Sequence, residues 1–405
     1  MKRKLIHALV AAAFAVGAGA ALAQAPKLTN DAVKIGVLTD LSGLYSDLGG
    51  QGSVTAAQMA VEDFGGTVLG KKIEVVSTDH QNKADVGAQK AREWIDRDGV
   101  DMMTDGLNSS VALATAKVVA EKKKVFINTG AASTRLTNED CTPYTIHHTY
   151  DTFALANGTG KAVVKQGGDT WFFLTADYAF GHSLEKDTSE VVKANGGKVL
   201  GAVRHPLNAS DFSSFLLQAQ SSKAKVVGLA NAGGDTINSI KAANEFGLTK
   251  NQSLAGLLVF ITDVHSLGLK ATQNMYVTEA WYWDLNDDTR KWSKRFFEKM
   301  KKMPTMNQAG VYSAVTMYLN AVKATGTDDA DTVMKWLREN KHSDMFGKNM
   351  VLREDGRLVH DMYLMQVKKP EESKTPWDYY NVRQVIPAAE AFQPLSASRC
   401  PLVKK

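Results

Sequence analysis

The feature that most constrains this chain is a regular alternation of two kinds of segment in its first third. Short, strand-like runs rich in apolar residues at 33–40, 72–79, 101–105 and 125–129 alternate with helix-like runs at 52–64, 84–97 and 109–123. Continuous apolar strands are typical of parallel sheets that are buried on both faces, with helices as the crossovers between strands. The pattern therefore predicts an α/β fold with helices on both faces of a parallel sheet.

The same alternation begins again after residue 150 and predicts a second, similar lobe. Its strands are predicted at 170–175, 198–204, 225–230, 253–260 and 275–283, and its helices at 153–165, 184–194, 212–221 and 235–246. Three further helices at 288–302, 309–324 and 330–339 precede a hairpin-like pair at 349–353 and 362–367. Five prolines from residue 370 onwards argue against regular elements there, so we expect a tail laid over the surface.

The first 23 residues have the order of a Sec-type signal peptide. A basic start at residues 1–4 precedes an apolar run at 5–20 and the small residues around Ala23, which predicts cleavage after Ala23 and export to the periplasm. A membrane anchor is the alternative, but the run is short and no stop-transfer pattern follows it. The longest later apolar run, 254–261, is too short to span a bilayer.

Removal of this segment also removes three of the positive charges. The formal net charge falls from +5 to +2, because Lys2, Arg3 and Lys4 are lost and no acid goes with them. The basic balance of the whole chain is therefore no argument for nucleic-acid binding, and we expect no such partner.

Both cysteines, Cys141 and Cys400, lie in the exported part of the chain. In an oxidising compartment an isolated pair of this kind predicts a disulfide, which would hold the C-terminal tail against the first lobe. Two unpaired thiols, one buried and one in the tail, are the alternative.

Signatures of catalysis and of cofactor binding are missing from the sequence. It contains no HExxH, GxSxG or complete SxxK framework, and the glycines at 49–52 do not give GxGxxG. His147 and His148 are neighbours on a predicted strand, so they point to opposite faces and cannot chelate one ion together. We therefore expect a protein that is not an enzyme and that carries no cofactor or metal.

Two runs of small and hydroxyl-bearing residues follow neighbouring predicted strands. The first, at 105–110, contains Asn108 and Ser109 and opens a helix, while the second covers residues 128–134. Ligands of open α/β sheets bind at the carboxyl ends of strands, where helix N-termini present free N–H groups. Together the two turns could hold one carboxylate. Ordinary βα turns need the same residue types and are the alternative.

Aromatic and glycine-containing loops follow other predicted strands. Tyr45 follows the first strand, and Tyr178 occupies the same relative place in the second half. Gly234 and Asp235 open a helix, and three aromatic residues stand together at 281–283. These residues could contact a ligand, whereas packing between lobes, or capping of the helix by Asp235, is the alternative.

Several of these runs together resemble a known family. The segments VKIGVLTDLSGLYSDLGGQGSVTAAQMAVEDF, GLNSSVALATAKVVAEKKKVFINTGAAST and TADYAFGHSLE resemble periplasmic substrate-binding proteins of ABC importers, of the branched-chain amino-acid (leucine-binding) type. The resemblance implies two Rossmann-like lobes joined by a three-segment hinge. Lobe 1 would comprise residues 31–148 and 278–345, and lobe 2 residues 149–277 and 346–390 with the hairpin, followed by a tail at 391–405.

The resemblance also implies a ligand site in the cleft between the lobes. The ligand carboxylate would be held by Asn108 and Ser109 together with Gly130, Ala131, Ala132 and Ser133, with Tyr45 on the same lobe. Tyr178, Gly234, Asp235 and Phe260 would come from the closing lobe, Tyr312 matches an aromatic position near the cleft, and Trp281 could add packing.

One position departs from the family pattern. Amino-acid binders of this type have an acidic residue that meets the ligand ammonium, but Phe260 stands near that position, and the nearest acids are Asp235 and Asp263. An aromatic or aliphatic acid would need no such partner, so both it and an amino acid are kept as candidate ligands.

The expected function is therefore capture of a small carboxylate-bearing solute and its delivery to a membrane permease that is driven by a cytoplasmic ATPase. We expect a monomer that is not inserted in the membrane. A periplasmic sensor of amides or small acids, acting through a separate partner, is the alternative.

Overall fold

The computed structural model describes residues 27–404, which fold into two lobes that are each built around a sheet. The predicted signal peptide lies outside the described residues. The strands are β1 Ala32–Thr39, β2 Thr67–Val68, β3 Lys71–Asp79, β4 Met102–Asp105, β5 Val125–Asn128, β6 Thr145–His147, β7 Thr170–Ala176, β8 Lys198–His205, β9 Val226–Ala230, β10 Ser253–Gly256, β11 Tyr276–Glu279, β12 Val351–Leu352, β13 Leu358–Val359, β14 Met362–Val367 and β15 Tyr380–Ile386.

The helices lie mainly between these strands. They are α1 Gly50–Phe64, α2 Ala84–Glu93, α3 Ser109–Glu121, α4 Thr152–Leu155, α5 Lys161–Lys165, α6 Ala179–Ala194, α7 Ser213–Ser221, α8 Gly234–Glu245, α9 Ile261–Leu267, α10 Leu269–Thr272, α11 Asp287–Met300, α12 Met306–Thr325, α13 Ala330–Glu339 and α14 Ala388–Ala391. Within residues 27–404, no helix is both long enough and apolar enough to cross a membrane.

Lobe 1 contains a six-stranded sheet in the order β2-β3-β1-β4-β5-β6, in which only β2 is antiparallel. The predicted parallel sheet is confirmed. The register pairs Leu38 with Asp105 and Asp105 with Asn128, so the carboxyl ends of β1, β4 and β5 lie side by side. The loops that follow these three strands are therefore neighbours at one edge of the sheet.

Lobe 2 contains a four-stranded parallel sheet in the order β10-β9-β7-β8. The strand predicted at 275–283 is shorter, covering only β11, and does not join this sheet. It pairs antiparallel with β14, which pairs in turn with β15.

The C-terminal region differs from the expectation in two respects. Residues 380–386 form the strand β15, although a tail without regular elements is expected from the sequence. Four consecutive residues of this edge strand are exposed, so the sequence shows no apolar run there. The predicted hairpin partners are also different, because β12 pairs with β13 while β14 joins β11 and β15.

The chain passes between the lobes three times. It leaves lobe 1 after β6, returns after β11 to form α11–α13, which pack on lobe 1, and leaves it again before β14. The β12–β13 hairpin lies beside β6, where the N–H of His147 donates to the carbonyl of Gly356 at 2.8 Å. The hairpin is therefore on the lobe 1 side, although residues 346–390 were assigned to lobe 2.

The predicted disulfide between Cys141 and Cys400 is confirmed, with the two Cα atoms 5.7 Å apart. Hydrogen bonds flank it, because Ser398 Oγ donates to the Thr137 carbonyl at 3.1 Å and the N–H of Arg399 donates to Asn138 Oδ1 at 2.8 Å. The end of the chain is thereby fixed on lobe 1.

Candidate functional site

The turns after β4 and β5 are joined through Asp105. Its backbone has a φ of 78°, and its carbonyl accepts the N–H groups of both Thr129 and Gly130 at 3.1 Å. A Cβ on Gly130 would lie 2.8 Å from the Cα of Leu107, so the close approach of the two turns requires glycine there. The two turns are hydrogen-bonded and closely packed together at the edge of the lobe 1 sheet.

Asn108 acts as the N-cap of α3. Its side-chain oxygen accepts the N–H groups of Ser110 at 2.9 Å and Val111 at 3.2 Å, which is the arrangement favoured at helix starts. Ser109, the first helical residue, accepts the N–H of Ser133 on its Oγ at 3.2 Å. The hydroxyl hydrogen of Ser109 is therefore free to donate elsewhere.

Three side chains bind backbone carbonyls of the turn at residues 130–133. Tyr150 donates its hydroxyl to the Gly130 carbonyl at 2.6 Å, and both Asn128 Nδ2 and His147 Nε2 donate to the Ala131 carbonyl at 2.8 Å. Burial lowers the pKa of His147 well below its ordinary value, so it is neutral and structural. Among the hydrogen bonds of residues 27–404, none takes the N–H of Ala132 or of Ser109.

A narrow cavity of about 10 Å³ lies between these turns and lobe 2. It is lined by Tyr45, Leu48, Leu107, Ser109, Gly130, Ala132, Tyr150, Tyr178, Phe180, Ala232, Leu258 and Phe260. All twelve side chains are uncharged, and most are apolar or aromatic. The lining combines apolar and aromatic walls with hydroxyl and N–H donors on the Ser109 side, which is the chemistry of a site for a small apolar molecule with one polar end.

The two lobes touch directly around the cavity. The hydroxyl oxygens of Tyr45 and Tyr178 lie 2.5 Å apart, and burial raises the pKa of both phenols, so both stay neutral. The N–H of Gly234 donates to the Leu44 carbonyl at 3.1 Å. Gly233 has a φ of 56°, and a Cβ there would lie 2.5 Å from the same carbonyl oxygen. The contact therefore depends on glycine at position 233.

Asp235 lies next to this contact, and its carboxylate binds backbone N–H groups of lobe 2. Its carboxylate accepts the N–H groups of Asn208 at 3.0 Å and Ala209 at 3.2 Å. Burial raises the pKa of Asp235 to about 6, against the effect of those two hydrogen bonds. The carboxylate thus serves the loop after β8, and it does not line the cavity.

Phe260 lines the cavity, whereas Asp263, the nearest acidic residue in the sequence, does not. Asp263 Oδ2 accepts the N–H of Phe260 at 2.9 Å at the start of α9. Burial raises the pKa of Asp263 to about 7. Neither Asp235 nor Asp263 is among the cavity residues, and in the part of the chain that the structure describes no cluster could hold a metal ion.

Two aromatic residues from the sequence analysis lie elsewhere. Trp281 Nε1 donates to the Met345 carbonyl at 3.3 Å, and its ring packs edge-on against Trp292. Tyr312 donates its hydroxyl to Asp63 Oδ2 at 2.8 Å, on the side of α12 that faces α1. Neither side chain lines the cavity, so we leave both out of the candidate site.

The structure brings the remaining predicted residues together in two groups. Tyr45, Ser109, Gly130, Ala132, Tyr178 and Phe260 line the cavity. Asn108, Ala131, Ser133 and Gly234 lie just outside it and support the turns or the lobe contact.

Six lining residues were not predicted from the sequence: Leu48, Leu107, Tyr150, Phe180, Ala232 and Leu258. Tyr150 carried a usable signal, because it is an aromatic residue close to the predicted strand that contains His147 and His148. The apolar ones look like any other core residue in the sequence, and only the approach of the two lobes assigns them to the cavity.

The two-lobed fold, with its cavity between the lobes, can be compared with known proteins. A family model described as a periplasmic binding protein matches residues 32–374. The chain belongs to the periplasmic binding protein family. Members similar to it are solute-binding proteins of ABC transporters and not enzymes, which agrees with the expectation from the sequence.

Three solved structures illustrate the similarity. A periplasmic binding protein from Burkholderia mallei is 62% identical, covers 92% of this chain and 100% of its own, and superposes with a TM-score of 0.91. A branched-chain amino-acid ABC transporter periplasmic ligand-binding protein from Burkholderia xenovorans LB400 is 43% identical, with 91% and 99% covered and a TM-score of 0.81. An ABC-transporter solute-binding protein from R. palustris, in complex with benzoate, is 21% identical, with 91% and 99% covered and a TM-score of 0.81.

Proposed function

We propose that this protein is the periplasmic component of an ABC importer and that its ligand is a small apolar carboxylate, either aromatic or aliphatic. The observation that carries the proposal is the cavity itself, which has neutral donors on one side and apolar or aromatic walls elsewhere. The signal-peptide pattern and the family support export to the periplasm. In this account the loaded protein docks on a membrane permease, and a cytoplasmic ATPase drives uptake.

The carboxylate is held on the Ser109 side of the cavity. Ser109 and Ala132 line this side, and three of their donors have no acceptor within residues 27–404: the hydroxyl of Ser109, its backbone N–H and the N–H of Ala132. The positive end of the dipole of α3, which begins at Ser109, adds to the attraction for an anion. Neutral donors of this kind bind a carboxylate through charge-assisted hydrogen bonds, without a lysine or arginine.

An ammonium group finds no partner in the same cavity. The carboxylate of Asp235 is used by the backbone of Asn208 and Ala209, and that of Asp263 by the backbone of Phe260. A buried cation that has no counter-charge is costly, so an α-amino acid is disfavoured relative to the acid that lacks its amino group. Of the two ligand classes that the sequence left open, the acid without an amino group is therefore favoured.

A thermal-shift experiment with matched pairs of ligands tests the proposal. The pairs are benzoate with benzamide, 4-methylpentanoate with leucine, and 3-phenylpropanoate with phenylalanine. Benzoate is a suitable first probe because the R. palustris protein of the same fold holds it. A ligand that binds only the native state raises the melting temperature.

We expect at least one acid of the three pairs to raise the melting temperature more than its amide or amino-acid counterpart. Larger shifts with leucine or phenylalanine than with the matched acids would show that the ammonium is recognised and that the ligand class is wrong.

A further inference from the structure

One face of α6 in lobe 2 meets two consecutive hydroxyls of lobe 1. Ser183 and Asp187 are four residues apart and therefore lie on the same face of the helix. Ser183 Oγ is 2.7 Å from Ser133 Oγ, and Thr134 Oγ1 donates to Asp187 Oδ2 at 3.0 Å. Two neighbouring residues of lobe 1 are thus bound by one turn of a lobe 2 helix.

Asp187 also binds the segment that connects the lobes. Thr152, the first residue of α4 after the first crossing, donates its hydroxyl to the same Oδ2 at 2.5 Å. Asp187 is 7% exposed and Thr152 is fully buried, so water does not compete freely for these bonds. Asp187 therefore joins lobe 1, the crossing and lobe 2 at one oxygen atom.

The charge state of Asp187 suits this role. Burial raises its pKa to about 6, while the hydroxyls of Thr152 and Thr134 and the charge of Lys186 lower it and Asp151 raises it. The group is thus mostly ionised at neutral pH. Hydroxyls that donate to an ionised carboxylate form stronger hydrogen bonds than neutral pairs do.

The same contacts reach the ligand side of the cavity through Ser133. Its hydroxyl faces Ser183, while its backbone N–H donates to Ser109 Oγ at 3.2 Å. Because the hydroxyl oxygen of Ser109 accepts that bond, the hydroxyl hydrogen of Ser109 points away from the N–H of Ser133. Ser133 itself does not line the cavity. A continuous set of hydrogen bonds therefore runs from α6 to the hydroxyl that we assign to the ligand.

We propose that Ser183 and Asp187 are positioning residues that couple closure of the lobes to the orientation of the Ser109 hydroxyl. They act through Ser133 and Thr134, whose hydroxyls bind lobe 2 and not the ligand. The part of this proposal that concerns Ser109 rests on the proposed function. The closure contact, meaning the hydrogen bonds of Ser183 and Asp187 with Ser133 and Thr134, does not.

Two variants, Asp187→Ala and Ser183→Ala, test the closure contact directly. Small-angle X-ray scattering is recorded for each, without ligand and with saturating benzoate. Loss of the contacts is expected to increase the radius of gyration in at least one of the two conditions, because the open arrangement becomes more populated. Glu190→Ala and Ser189→Ala on the same helix are the controls, since within residues 27–404 neither side chain makes a hydrogen bond or ion pair with lobe 1.

Benzoate affinity and dissociation rate are then measured for the same set. Asp187→Ala is expected to weaken binding about tenfold, mainly through faster dissociation, and Asp187→Asn to recover part of the loss because it keeps an acceptor oxygen. If Asp187→Ala acted only by damaging the fold, we would not expect Asp187→Asn to recover benzoate affinity while the control variants keep the radius of gyration of the parent.

The outcomes separate the two proposals. If the parent protein fails to bind benzoate and all the other acids while the variants still open, the proposed ligand class is wrong and the closure contact stands. If the parent binds an acid and both variants match it in radius of gyration and in dissociation rate, the closure contact is overturned and the ligand class stands.

Discussion

The hydroxyl oxygens of Tyr45 and Tyr178 lie 2.5 Å apart, one on each lobe, and both side chains line the same cavity. Since both phenols are neutral, one donates and the other accepts. The pair that holds the lobes together is therefore also part of the cavity wall. Closure and the shape of the binding site depend on the same two side chains.

Removal of either phenol hydroxyl is expected to weaken binding. Tyr45→Phe and Tyr178→Phe should each reduce the affinity for benzoate about fivefold, equivalent to about 1 kcal/mol for one hydrogen bond. The double variant should lose little more than each single variant, because the two changes remove the same bond. Isothermal titration calorimetry provides the measurement.

The matched control for the tyrosine pair is Tyr312→Phe. Its hydroxyl also makes a hydrogen bond, but to Asp63 outside the cavity, so its affinity should equal that of the parent. Simple additivity of the Tyr45 and Tyr178 effects would argue against a direct bond between them in the ligand-bound state.

Gly233→Ala is expected to oppose closure without disturbing the core of either lobe. The new Cβ would lie 2.5 Å from the Leu44 carbonyl oxygen of the opposite lobe, at a φ of 56°. Gly247→Ala is the control, because Gly247 has a similar φ of 67° and faces only the flexible side chain of Lys250. Small-angle scattering should show a larger radius of gyration for the first variant only, and equal values for the two would contradict the contact between Gly233 and Leu44.

The pH dependence of stability should change at Asp263. Its folded-state pKa of about 7 lies above the ordinary value of 3.8, so its contribution to stability is fully present below about pH 4 and is lost as the pH rises through 7. Asp263→Asn removes this loss and keeps an acceptor for the N–H of Phe260. From about pH 4 to about pH 8, the free energy of unfolding should rise by about 2–4 kcal/mol in the variant relative to the parent.

Urea unfolding at both pH values measures the Asp263 effect, with the exposed Asp98→Asn as the control. If the difference in the free energy of unfolding between variant and parent stays constant with pH, then ionisation of Asp263 does not destabilise the folded protein.

Reduction of the disulfide should lower stability substantially. The bond between Cys141 and Cys400 joins residues separated by 259 positions, and the chain-entropy model gives about 4–5 kcal/mol for so long a loop. The double variant Cys141→Ser, Cys400→Ser should melt at a lower temperature than the parent but bind the same ligands. An unchanged melting temperature would mean that the contacts of Ser398 and Arg399 alone fix the tail.

Much of the fold could be predicted because burial leaves a repeated signal in the sequence. The central strands β1, β4 and β5 of lobe 1 are largely buried and rich in apolar residues, and the turns after β4 and β5 contain the small residues that their close approach demands. The strand β15 gave no such signal, since its central residues are exposed and prolines stand on both sides of it. Pairing of β14 with β11 depends on strands about 80 residues apart, which local patterns do not encode.

The candidate site was predictable in part and for a similar reason. Ser109, Gly130 and Ala132 lie in loops whose place at the sheet edge follows from the strand order. Trp281 and Tyr312 looked equally suitable, but their polar atoms bind Met345 and Asp63 within the protein. Whether an aromatic residue faces a cleft or a helix depends on how the lobes and the returning helices pack, and sequence spacing does not contain that information.

The most direct test of the account is the affinity of Ser109→Ala for benzoate and for benzamide, measured by calorimetry beside the neighbouring Ser110→Ala as control. Loss of a hydroxyl that donates to a carboxylate should weaken benzoate binding by about 1.5–3 kcal/mol, more than tenfold, and change benzamide binding much less. Ser110 lies outside the cavity, so its variant should bind both ligands like the parent. Equal affinity of Ser109→Ala and the parent for benzoate would contradict the assignment of this cavity as a carboxylate site.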